Sequence, residues 1–325
     1  MTRPTTLRHG LLSALLAVAA VHAMAAPPSP TAGCAKPRTP EAFEAAFTEA
    51  TVQRHSLPAL TCAAVMSFNA ATAAPKSMDL QILALDAQIN LLEQIQLQLE
   101  TQTYQGGDAY EDIKARWALG IRQGKALSAR MAKAGSDPMI AGLRIIFDLV
   151  SVSSSLVKPE DAYKVASSAI GPLGALIDKN PKLLDGIGEV VLGRLYYQLP
   201  ETAGGDLDKA VLHFAKAHEI NRKQIVFQRW YAEGLVAVGR MNEARPVLAR
   251  MAAMGEPEPL ERQSYADELR AGVGLAGRAG DAALSQELAD KRRALLKAFP
   301  ELKTRAPAAI SGHGGADPLT GKAVD

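Results

Sequence analysis

An all-α fold is the class this sequence predicts, and three observations predict it. The chain is rich in Ala, Leu, Gln, Glu, Lys and Arg, residues that lose little side-chain freedom in a helix. Aromatic residues make up only 5% of it, and alternating Val/Ile/Thr runs are absent, so strand signals are lacking. Apolar residues recur at helical spacing in segments of roughly 12 to 25 residues, broken by short Gly/Pro/Asp/Asn stretches. Helices joined by short loops favour antiparallel neighbours. The expected architecture is antiparallel helix hairpins forming an α-solenoid or a compact helical array.

The elements are justified in chain order. Residues 1–25 read as a secretory signal: Arg3, Arg8 and His9 form a basic start, Leu11 to Val21 a short apolar run, and Ala23 to Ala25 a small-x-small cleavage site. Residues 26–39 form a Pro-rich linker. Thr39 is the expected N-cap of the first helix, with Pro40 in its first turn, and Phe43, Ala46, Phe47 and Ala50 follow at helical spacing. A second apolar segment follows Pro58 and carries Cys62. The longest helix is expected over Met78 to Tyr104. Its stripe of Leu85, Ile89, Leu92, Gln96 and Leu99 is thickened by Ile82, Leu83 and Ile95. That face is wider than a coiled-coil seam, which favours internal packing over a dimer; a homo-oligomer through this helix stays open.

Further breaks are expected at Gly106 to Asp108, Gly135 to Pro138, Val157 to Asp161, Asn180–Pro181, Gly204 to Asp206 and Gly255 to Pro259. Asp137–Pro138 and Asn180–Pro181 each read as an N-cap followed by a first-turn proline. The glycines and proline of Gly171 to Leu176 predict a break or kink. Residues 40–178 form an N-terminal helical region, 179–300 a repeat region, and the polar, Gly/Pro-rich 301–325 a disordered tail.

Charge and cysteines bound the function. The chain has 36 Lys+Arg and 34 Asp+Glu, and both basic residues of the leader would leave with it, giving 34 of each. A nucleic-acid binder usually shows a basic excess or stripe, so that class is set aside. The two cysteines, Cys34 and Cys62, lie in the exported part, where an oxidising compartment lets a disulfide persist. Such a bridge would contribute roughly 3 kcal/mol. Thr31 to Cys34 also read as a partial lipoprotein box, so a lipid anchor on Cys34 stands as the alternative. The expected location is the periplasm.

The stretch Leu192 to Asn221 carries the clearest repeat. Leu192, Gly193 and Tyr196 match the first helix of a tetratricopeptide unit; Ala210, Phe214 and Ala217 match the second. The distance between them is about five residues too long, and Leu199 to Asp206 hold the excess. A weaker copy follows, with Ala232 and Leu235, Gly239 at the turn, then Ala244, Leu248 and Met251. A degenerate third pair is expected between Leu260 and Phe299. Small residues at Gly193, Ala210, Ala217 and Ala232 let helix axes approach, while Tyr196 and Phe214 fill the shared face.

No catalytic motif emerges. His213 and His218 are five apart and diverge by about 140° on a helix, which does not suit a metal pair. Gly120 to Lys125 and Glu201 to Asp206 lack the strand and Lys-Ser/Thr of a phosphate loop. No catalytic residue, metal site or cofactor is expected. The candidate binding residues are Tyr197, Arg229, Trp230 and Tyr231, since Trp, Tyr and Arg are favoured interface anchors.

Leu199, Pro200, Gly204, Gly205, Asp206, Lys209, Ala210, His213, Phe214, Lys216 and Ala217 together resemble the TatT family, the helical-repeat T components associated with TRAP transporters. The resemblance covers about 30 residues well. It implies an exported, all-helical, non-catalytic protein that pairs with a periplasmic solute-binding protein. A general tetratricopeptide scaffold for cell-envelope assembly is the alternative.

Overall fold

The computed structural model of the protein describes residues 29–304 except 32, 38, 53–55, 102–106, 134–136 and 260. The leader, His55, His313 and residues 305–325 of the tail lie outside them. Among the described residues there are twelve α-helices and no strand. They are α1 (Pro40–Val52), α2 (Leu57–Ala73), α3 (Met78–Thr101), α4 (Asp108–Lys133), α5 (Pro138–Val150), α6 (Pro159–Lys179), α7 (Ile187–Gln198), α8 (Leu207–Ile220), α9 (Ile225–Ala237), α10 (Met241–Ala253), α11 (Arg262–Arg278) and α12 (Ala282–Ala298). None of them is long and apolar enough to cross a membrane.

Helix starts follow local chemistry. Thr39 Oγ1 accepts from the Ala42 N–H, Ser56 from Ala59, Asp137 from Met139 and Asp281 from Leu284. Each satisfies a donor that the first turn leaves orphaned. Asn180 departs from expectation. It caps the end of α6, its N–H donating to the Leu176 carbonyl, and a 3-10 turn (Leu183–Gly186) intervenes before α7. Of the break or kink expected near Pro172, the break does not occur: α6 runs through this proline. Its neighbour Gly171 has no Cβ to clash with the ring, and Ser168, whose carbonyl loses its partner, is exposed. Residues 301–304, expected in the tail, belong to a 3-10 turn, Pro300–Thr304, that buries Leu302.

Packing is mostly between neighbours in sequence. α2, α3, α4 and α5 share a core of Leu85, Leu91, Leu92, Ile95, Leu127, Met131 and Phe147. The stripe of α3 is thus consumed internally, as its width suggested. The Cys34 and Cys62 sulfurs are bonded, with Cα atoms 5.0 Å apart. Arg116 reinforces that staple: it donates to the Pro30 carbonyl (3.2 Å) and to Thr61 Oγ1 (2.8 Å) while pairing with Asp112 (2.7 Å). A second core of Ala169, Leu173, Ile177, Leu183, Leu192 and Leu195 runs from α6 into α7, across the boundary expected near residue 178.

From α7 onward the helices pair as hairpins, α7 with α8, α9 with α10 and α11 with α12, and α9 packs on α11. Phe214 is fully buried at the first junction. A Cβ on Gly193 would lie 2.6 Å from its ring, and one on Gly234 2.9 Å. Two glycines on successive hairpins therefore make the slot for one aromatic. Ala210, Ala217, Ala232 and Ala244 have no exposed surface, which permits the close helix approach.

Candidate functional site

The helical array leaves a cleft of about 1040 Å³ between its two halves. Each wall is one helical face. α3 gives Ile82, Asp86, Ile89, Asn90 and Glu93; α5 gives Met139, Leu143 and Ile146; α7 gives Ile187, Val190, Val191 and Arg194. The start of α9 adds Ile225, Val226, Phe227 and Trp230, and the α10–α11 connection adds Met254 to Glu258. Cavities that take small organic molecules usually span roughly 300–1,000 Å³, so this one is large. Met139 and Ile187 are exposed large apolar residues, 37% and 46% accessible, and both lie on its edge.

The 3-10 turn before α7 forms part of the lip. Leu184 (φ 51°) and Asp185 (φ 55°) both adopt the left-handed region, the only non-glycine residues to do so among those described. Such backbone is costly and persists where surroundings enforce it. Here Leu183 is buried below the turn, and Gly186 lies against Ile220 and Phe227.

Arg194 is the half-buried charge of the cleft; every other charged lining residue is exposed. Its guanidinium lies 5.0 Å from the centroid of the Trp230 ring. Among the described residues it has no hydrogen bond and no ion pair. Burial pushes its pKa below the usual guanidinium range; Glu93 opposes that most, Arg229 adds to it, and Glu268 and Glu233 oppose it less.

Behind Trp230 lies a buried ionic cluster. Arg229 Nη1 donates to Glu233 (2.5 Å) and its Nε to Glu268 (2.7 Å), tying α9 to α11. Burial works against the Arg229 charge, but Glu268 and Glu233 outweigh it and its pKa is raised. The Tyr197 hydroxyl reaches Glu233 at 3.5 Å, and burial pushes its pKa up to about 12.

Of the four residues singled out for binding, only Trp230 reaches the cleft, and it is 3% exposed. Arg229 is buried in its ion pairs. Tyr197 packs on Phe214 (6.3 Å) and Trp230 (6.2 Å), and Tyr231 lies beside His218 (5.2 Å). Tyr196 packs against the core that holds Phe214, as expected, and also stacks on His213 (5.4 Å), whose Nδ1 meets buried Glu189 at 2.5 Å. His218 turns elsewhere, to Arg250 (3.0 Å). Among the described residues no group of three or more His, Cys, Asp or Glu could hold a metal ion. Arg194 was missed from sequence. Its signal was a lone cation inside the apolar run Val190 to Tyr197.

The hairpin turn is built as a unit. Pro200 ends α7's last turn, Glu201–Ala203 form a 3-10 turn, and Gly204 has φ 98°. Gly205 donates to the Pro200 carbonyl (3.0 Å) and Asp206 N–H to Tyr196 (2.8 Å). Asp206 then caps α8, its Oδ1 accepting from Lys209 N–H at 3.0 Å. No family model matches this chain, and no curated protein matches it either.

Proposed function

We propose that this protein is an exported, non-catalytic binding component resembling the TatT family, which works with a periplasmic solute-binding protein. The observation that carries the reading is the apolar-walled cleft lined by α3, α5, α7 and the start of α9. A helper for solute uptake needs a wall of this kind. A scaffold that grips extended peptides needs a groove lined by polar clamps, whereas this cleft has walls of Ile, Leu, Val, Phe and Trp, and its charged side chains other than Arg194 are exposed.

Two further facts support export. The Cys34–Cys62 bond suits an oxidising compartment, and it occupies the sulfur that a thioether-linked lipid on Cys34 would need. The mature chain then sits free in the periplasm.

Affinity purification from a periplasmic extract tests the reading. The expected partner is a solute-binding protein, encoded beside TRAP membrane subunits. Recovery of envelope-assembly proteins alone would support the scaffold reading instead.

A further inference from the structure

We propose that the cleft binds an amphipathic organic monoanion, a molecule with an elongated apolar body and one carboxylate or sulfonate end, and that Arg194 receives that end. The inference rests on the cleft alone and needs no protein partner.

The first argument is the state of Arg194. It is a half-buried guanidinium facing an apolar space, with no hydrogen bond or ion pair among the described residues. The carboxylates behind it are already engaged, because Glu233 and Glu268 both bind Arg229 at 2.5 and 2.7 Å. The guanidinium is partly desolvated, and an incoming anion supplies it with a charge-assisted partner. Burial already pulls the Arg194 pKa down, and a bound anion reverses that.

The second argument is shape and lining. The 1040 Å³ space exceeds what a small polar acid fills. Its walls are aliphatic and aromatic, from Ile89, Leu143, Val191 and Phe227 among others. The third argument concerns the other charges of the lining: Glu93 acts on Arg194 itself, and Asp86, Asp185, Glu256, Glu258 and Glu261 outnumber Arg222 and Lys223. These side chains are exposed and screened, yet their excess of carboxylates disfavours a second anionic group on the ligand. A molecule with a single charged end suits a lining with one half-buried cation.

The test is competitive displacement of anilinonaphthalene sulfonate, itself an apolar monoanion, from the mature protein. Decanoate is expected to displace it, whereas decyltrimethylammonium and the dianion succinate are not. Arg194→Gln should weaken decanoate about tenfold or more while leaving decanol unchanged, because only the charged contact is lost. Lys164→Gln, on the exposed face of α6 and outside the cleft, should behave as wild type. Equal decanoate affinity in Arg194→Gln, absence of decanoate binding, or equal displacement by the cation would each overturn the proposal. If Arg194→Gln does not fold by circular dichroism, the decanoate-against-decyltrimethylammonium comparison on the wild-type chain decides the matter. Recovery of a solute-binding partner is untouched by any of these outcomes.

Discussion

Gly205 and Leu199 stand so close that a Cβ added to Gly205 would lie 1.7 Å from the Leu199 carbonyl oxygen. The obstacle is backbone, so no side-chain rotation relieves it. Gly205→Ala must therefore open the turn and loosen the α7–α8 hairpin. We expect a loss of about 2–3 kcal/mol, read by chemical denaturation. Wild-type stability in that variant would mean the turn is not packed as described.

Asp206 gives a milder and pH-dependent effect. Its backbone bond from Lys209 holds its carboxyl below the usual range. A depressed folded pKa contributes stability above the unfolded carboxylate range and loses it as pH falls through the folded value. Asp206→Ala should lower the melting midpoint by roughly 2–4 °C at neutral pH. That difference should vanish in acid, where both proteins lack the charged cap.

Arg229 is held between Glu233 and Glu268 in a buried site. Arg229→Met removes the cation and strands two carboxylates, at a cost of about 3–5 kcal/mol. The triple replacement Arg229→Met, Glu233→Gln, Glu268→Gln should recover much of it, because no unpaired charge remains. Denaturation midpoints of the two variants decide this.

Tyr197 should ionise only near pH 12, because burial and then Glu233 resist a phenolate. For this raised value the neutral form is the one the fold favours. Its contribution is intact below the unfolded tyrosine range and is lost as pH rises toward about 12. Ultraviolet titration of wild type against Tyr197→Phe isolates the late step.

The Cys34–Cys62 bond closes a loop with a sequence separation of 28. In the chain-entropy picture it stabilises by about 3–4 kcal/mol. Thiol titration of the unfolded, exported protein should find no free thiol, and reduction should lower the melting midpoint. Two free thiols would refute the pairing.

The parts legible from sequence were those set by neighbours a few residues apart. Asp206 and Asp137 announced their caps, and helical spacing announced the buried faces of α3 and α8. Asn180 misled because Asn and Pro serve helix ends as well as starts, and only packing decides between them. Tyr197 was a ring whose contact with Trp230 could not be assigned without α9 in place. Arg194 faces a cleft only where α3, α5, α7 and α9 converge, over more than a hundred residues of chain. No local pattern encodes that convergence.

The most direct test of the proposed role is chemical cross-linking in intact cells, followed by mass spectrometry of the linked peptides. The account predicts links from residues around the cleft, Lys223 in the α8–α9 turn among them, to one solute-binding protein. Reproducible links only to unrelated envelope proteins, or none to a solute-binding protein, would contradict it.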